Sequence, residues 1–206
     1  MGAQAGEFVL LSQDEARFPM VPTLAGTLGV KGHRPVVGTW DNKGLLYVFA
    51  VVNTVTAAVH ANTLESPRGQ TRRTGLNKTR RLQQAFADHL RHVARHSPSA
   101  RHGRVVLVID NAPWPAGERV RQALADNPHL ELYRLPSYSP CLNVLERLWR
   151  LRRRRATHNR LFDTLGDLKQ SIRNSLRYFQ TQRHRVTSLV HGCYREPEKQ
   201  TPSTTL

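Results

Sequence analysis

Apolar residues recur along the chain in two rhythms. Early on, the runs are short and continuous, as strands require. Phe8 to Ser12 is an apolar run leading into Gln13-Asp14-Glu15, and Pro35 to Trp40 and Leu45 to Val52 are β-branched and aromatic. Asp41-Asn42-Lys43-Gly44 separates the last two and has the composition of a hairpin turn. Ser66 to Gly75 is polar and basic and predicts a loop. From Leu82 the rhythm changes. Leu82, Ala85, Phe86, His89, Leu90 and Val93 recur at helical spacing, and His96-Ser97-Pro98-Ser99 ends that helix. His89 and His92 read as polar flank residues of it rather than as a metal site, because no carboxylate pairs with them at ligand spacing.

Arg104 to Asp110 carries five consecutive apolar residues, mostly β-branched, and predicts a central strand buried on both faces. A short helix is expected over Gly117 to Ala125. A strand is expected over Leu130 to Leu135, broken by Pro136-Ser137-Tyr138-Ser139-Pro140. Asn143 to about Arg155 is helical, with Leu145, Leu148, Trp149 and Arg152 at one-face spacing. A last helix starts at Thr164, where Asp167 three residues on makes a capping box, and its core face is Leu165, Leu168, Ile172, Leu176 and Phe179. Periodicity fades after Arg183. The division expected is a domain over 1–183 and a partly disordered extension over 184–206, polar and proline-bearing at its end. Three strands, then helix, strand, helix, strand, helix, helix predict an α/β domain with a mixed sheet covered by helices.

Charge narrows the partner. Thirty-one Lys and Arg against fifteen Asp and Glu leave a formal +16, a balance that attracts polyanions, nucleic acid above all. The two cysteines, Cys141 and Cys193, have no metal-site spacing. No apolar run approaches the roughly 18 residues of a membrane span, and Met1 to Glu7 lacks the features of a signal peptide. A cytoplasmic protein without membrane contact is expected.

Three acids stand out by context. Asp14 ends an early strand, Asp110 ends the most hydrophobic strand, and Glu146 lies in the first turn of a helix after a proline-bracketed loop. Carboxylates at strand ends sit where α/β sheets place ligands. Three on one spot repel one another unless divalent cations hold them, and Mg²⁺ prefers such hard oxygen ligands. Spacing alone leaves the plainer readings open, since Asp often forms turns and an early helical Glu answers the helix dipole.

The words around the acids add to this. Ile109-Asp110-Asn111-Ala112, followed by the run from Leu135 through Tyr138-Ser139-Pro140-Cys141-Leu142-Asn143-Val144-Leu145-Glu146 to Trp149, closely resembles the catalytic domain of mariner-related bacterial insertion-sequence transposases of the DDE superfamily. Thirty-five residues separate Asp110 from Glu146, close to that branch's short spacing. Gln13 to Phe18 and Gly32 to Val37 resemble its first-aspartate segment. The resemblance covers roughly Phe8 to Phe179. Ser137 and Val144 stand where the family often has Pro, Pro115 where it often has His, and Leu28 where Trp is common.

The resemblance implies a ribonuclease H-like fold with a five-stranded mixed sheet, and Asp14, Asp110 and Glu146 as catalytic ligands of two Mg²⁺ ions, with Mn²⁺ able to substitute. It implies cleavage of DNA strands and transfer of the freed 3′-hydroxyl during transposition. A homodimer, or assembly with a DNA-recognition domain or chain, is expected as well: family members carry helix-turn-helix modules before this domain, and thirteen residues precede Asp14 here. Contact with DNA is then expected through phosphates. The basic residues expected to provide it are Arg72, Arg73 and Lys78 in one stretch and Arg147, Arg150, Arg152, Arg153, Arg154 and Arg155 after Glu146. Two alternatives stand beside this reading: an inactive remnant that only binds DNA, and another ribonuclease H-like nuclease.

Overall fold

The computed structural model describes residues 8–193 apart from 27, 29–30, 34, 40–43, 67–74, 99–102, 113–115 and 137–142. Five strands form one sheet: β1 (Phe8–Pro19), β2 (Leu45–Asn53), β3 (Val59–Ser66), β4 (Arg104–Ile109) and β5 (Leu130–Arg134). Five helices accompany them: α1 (Lys78–His96), α2 (Glu118–Ala125), α3 (Val144–Ala156), α4 (Leu165–Thr181) and α5 (Arg183–Cys193). The spatial order is β3-β2-β1-β4-β5. β2 runs antiparallel to β1 and β3, while β4 is parallel to β1 and to β5. This is the mixed sheet that the element order predicts.

Alternation along the strands divides the core in two. Ala16 and Phe18 of β1 and Leu46, Val48, Ala50 and Val52 of β2 point to one face, where α3, α4 and α5 cover them. Leu11, Tyr47, Phe49, Val51, Val105, Leu107 and Ile109 point to the other, under α1 and α2. Both sides of β2 are buried by this arrangement, so its apolar run is unbroken.

Helix ends follow local chemistry. The Asn77 side chain accepts the Arg80 amide at the start of α1, and Asn143 accepts the Leu145 amide at the start of α3. The capping box is complete: Thr164 Oγ1 accepts the Asp167 amide at 3.1 Å, and Asp167 accepts the Thr164 amide at 3.0 Å.

Four expectations change. Residues 35–39 are not a strand, and Val36 is 92% exposed; the third strand is β3. The hairpin joins β2 to β3, with Asn53 Oδ1 accepting the amides of Val55 and Thr56, while residues 41–43 lie outside the described residues. Asp14 does not end its strand, because β1 continues to Pro19 on the antiparallel partner β2. The chain also stays helical past residue 183: Val186 and Val190 of α5 are buried in the same core as α3 and α4. Among the described residues, no helix is long and apolar enough to cross a membrane.

Candidate active site

Sheet register brings the two aspartates together. β1 and β4 are paired in parallel from Phe8↔Arg104 to Ser12↔Val108. Two residues further along each strand are Asp14 and Asp110. Asp14 shares the face of Ala16 and Phe18, Asp110 is the first residue past β4, and the two line one pocket. β4 stops at Ile109 while β1 continues, which opens a gap beside Asp14 at the carboxyl end of the parallel strands. The segment after β4 is pinned: Asn111 Nδ2 donates to the Leu135 carbonyl at 2.8 Å, and Asp110 Oδ1 accepts the Ala112 amide at 3.1 Å.

Asp14 is half-buried and held from three directions. Its Oδ1 accepts the Glu15 amide at 2.8 Å, its Oδ2 accepts Trp149 Nε1 at 2.9 Å, and Asn143 also hydrogen-bonds it. Burial pushes the Asp14 carboxyl up to about 6, the Asp110 charge adds to this, and the hydrogen bonds oppose it. The sequence suggests mutual repulsion as the main perturbation of these acids; burial is the larger cause. Glu15 faces the other side of β1 at the same level. Burial raises it to about 7, against the pull of Arg17 and Lys78, and its Oε2 is buried without a hydrogen-bond partner among the described residues.

Glu146 reaches this place through α3. Asn143 and Trp149, three residues to either side of it, both touch Asp14. Residues three apart lie on one side of a helix, so Glu146 sits between two residues docked on Asp14, and it is exposed. The oxygens of Asp14, Asp110 and Glu146 do not all lie within 4.8 Å of one another; among the described residues only the group His60, His92 and His96 meets that spacing. A pair of divalent ions with oxygen ligands accommodates wider spacing, about 8 Å from the outer ligand of one ion to the outer ligand of the other. The donor set is all hard oxygen, negatively charged and partly shielded from water, and it fits Mg²⁺ or Mn²⁺.

A pocket joins Asp14, Glu15 and Asp110 to Arg17, Tyr47 and Lys78. Lys78, expected from the sequence to meet DNA, thus stands beside the acids. Arg17 and Glu15 belong to the same pocket, although the sequence marks neither as a site residue. Arg72 and Arg73 lie outside the described residues. Arg147, Arg150, Arg154 and Arg155 are exposed on α3. Arg155 covers the Tyr178 ring at 3.7 Å, and half-buried Arg153 approaches that of Phe18 at 5.7 Å. Arg152 is a correction. It is 0% exposed, on the core face with Leu145, Leu148 and Trp149, and cannot reach DNA.

Sheet order, helix placement and an aspartate within β1 beside the one that follows β4 define a ribonuclease H-like fold. The chain matches the model of the DDE superfamily endonuclease family over residues 9–169, and it belongs to that family. No curated protein sequence matches it. Solved structures with the same fold include the Mos1 transposase paired-end complex with left transposon end (TM-score 0.57, 19% identity, 89% of this chain and 54% of that one). A pre-cleavage Mos1 transpososome is similar (0.59, 18%, 89% and 54%), as is the Mos1 transposase catalytic domain with raltegravir and Mg (0.55, 17%, 89% and 81%). The chain thus spans about half the length of the longer Mos1 chains and most of the isolated catalytic domain.

Proposed function

We propose that this domain cleaves DNA strands and joins the freed 3′-hydroxyl to target DNA, as the catalytic part of a transposase, with Asp14, Asp110 and Glu146 holding two Mg²⁺ ions. The observation that carries the reading is the register of β1 and β4, which sets Asp14 beside Asp110 while Asn143 and Trp149 dock α3, and with it Glu146, on Asp14. Membership of an endonuclease family supports it. So do the fold's neighbours, Mos1 complexes described with transposon ends and with Mg or Mn. Divalent cations bound there would supply an activated oxygen nucleophile and stabilise the leaving oxygen.

The chain's own residues do the rest. Trp149 and Asn143 fix the Asp14 carboxylate, so that it need not reorganise when substrate arrives. Asn111 fixes the backbone beside Asp110. Lys78 and Arg17 border the acids and would take the flanking phosphates, while Arg147, Arg150 and Arg154 continue the cationic track along α3. A homodimer, or assembly with a DNA-recognition domain or chain, completes the proposal.

The test is a nicking assay on supercoiled plasmid with the purified protein and each metal in turn. Mg²⁺ and Mn²⁺ should both support nicking, while Ca²⁺, larger and less exacting in geometry, should support binding and little cleavage. Nicking that persists with the chelator EDTA in place of any metal would overturn the reading.

A further inference from the structure

A second cluster lies on the other side of the sheet, away from the acids. His60 is on β3, paired with Val51, and it faces α1. His92 and His96 are on α1, four residues apart and so one above the other on one face. The rings of His60 and His96 lie 4.6 Å apart between centroids and those of His92 and His96 4.2 Å apart. One ring nitrogen from each of the three lies within 4.8 Å of the others. Asp88 stands four residues before His92 but is taken up by Gln84 and Arg91; the third histidine of the group arrives from a strand.

We propose that His60, His92 and His96 form a binding site for a divalent first-row transition cation of the zinc type. Three imidazoles with no carboxylate suit Zn²⁺ and its neighbours and not Mg²⁺, which demands oxygen. Tetrahedral Zn²⁺ with bonds of about 2.0–2.1 Å sets its nitrogens about 3.3 Å apart, so side-chain rotations contracting the cluster by about 1.5 Å at most complete it. One ring is already oriented. His96 Nδ1 lies 2.9 Å from the His92 carbonyl oxygen. A carbonyl only accepts, so Nδ1 carries the proton and Nε2 presents its lone pair, the arrangement typical of metal-bound histidines. Burial lowers His60 to about 4 and also lowers His92, and the neighbouring histidines add to both. Arg183 and Arg95 are the cations that act on these rings and weaken the site for a further positive charge.

The ion would act as a clip. It ties the carboxyl end of α1 to the edge strand β3. Lys78, at the other end of α1, borders the acid pocket. At a rise of 1.5 Å per residue, His92 and His96 lie about 21–27 Å from Lys78 along the helix. The clip is therefore separate from the proposed catalytic site, and it holds the helix that carries Lys78 to the sheet.

Equilibrium dialysis against Zn²⁺ in excess Mg²⁺ tests the proposal, with melting temperature as a second readout. The wild type should take up one Zn²⁺ and melt higher with it. His92→Gln and His96→Gln should lose that uptake and the shift in melting, while Asp110→Asn keeps both. His96 is exposed, so its variant should fold, as circular dichroism would verify. Uptake that persists in both histidine variants, uptake lost in Asp110→Asn, or no saturable uptake by the wild type would each overturn the site.

Discussion

Arg152 should make the protein less stable than a neutral side chain of the same size. Its guanidinium is fully buried, and none of its three nitrogens has a hydrogen-bond partner among the described residues. Burial pushes it down to about 9, which still leaves it charged at neutral pH. What faces it is aromatic, with the Trp149 ring at 5.0 Å and the Phe179 ring at 5.9 Å. Cation–π contacts of this kind return about 0.5–2 kcal/mol each. Removing a charge from water costs several kcal/mol, and replacing buried charges by apolar side chains of similar volume stabilises proteins by about 1–4 kcal/mol where the charge is poorly compensated. Arg152→Met keeps an unbranched apolar stem of nearly the same volume and removes the charge, so the melting temperature should rise by about 2–16 °C for a domain of this size. Arg152→Ala also removes the charge but leaves a cavity whose cost offsets the gain, so it should melt below the Met variant. Differential scanning calorimetry at neutral pH measures both. A Met variant that melts below the wild type would show that the cation is compensated where it lies.

Other consequences follow from single interactions. Trp149→Phe keeps the edge-on ring packing with Phe18 but removes the donor to Asp14. A hydrogen bond to a charged group contributes about 1.5–3 kcal/mol, so nicking should fall by about tenfold or more with DNA affinity unchanged; unaltered nicking would show that Asp14 is positioned without it. Arg147, Arg150 and Arg154 changed together to Ala should flatten the log–log dependence of DNA affinity on salt by up to about 0.9 for each phosphate left without its arginine, while Arg152→Met should leave that slope as it is. An equal slope in the triple variant would remove this face of α3 from the DNA path. Thr164→Ala breaks the capping box of α4 and should lower stability by about 1 kcal/mol in urea unfolding.

Legibility in the sequence follows burial. β4 is plain because its apolar run is unbroken, yet only the face of Val105, Leu107 and Ile109 is buried, and Val106 and Val108 are half-buried where burial on both faces is expected; Asp110 is plain as the residue that follows it. β3 is not, because Val-His-Ala-Asn-Thr-Leu-Glu-Ser on an edge strand is largely polar and lacks clean alternation. Pro35 to Trp40 has the residues of a strand, yet a strand needs a partner, and the edge beside β2 is taken by the hairpin that Asn53 turns. Arg152 shows composition overriding position. It stands seven, four and three residues after Leu145, Leu148 and Trp149, on the core face, but its charge groups it with the residues expected to meet DNA. Trp149 reads as a core residue, and it is one at 3% exposed. A buried indole N–H also needs an acceptor, and that need is the signal that leads from Trp149 to Asp14. The pairing of Asp14 with Asp110 is visible in the sequence only through the family resemblance, because strand register is a tertiary property.

If Asp14, Asp110 and Glu146 work as one metal-holding site, loss of one charge should silence it. Nicking of supercoiled plasmid by the wild type and by Asp110→Asn, in Mg²⁺ and at equal DNA occupancy, tests it most directly. The amide keeps the shape of the side chain and its hydrogen bond to the Ala112 amide, but loses the charge that holds the cation. The wild type should nick and the variant should not rise above background, with melting temperature and DNA binding preserved; equal nicking by the two proteins would mean that Asp110 holds no catalytic metal.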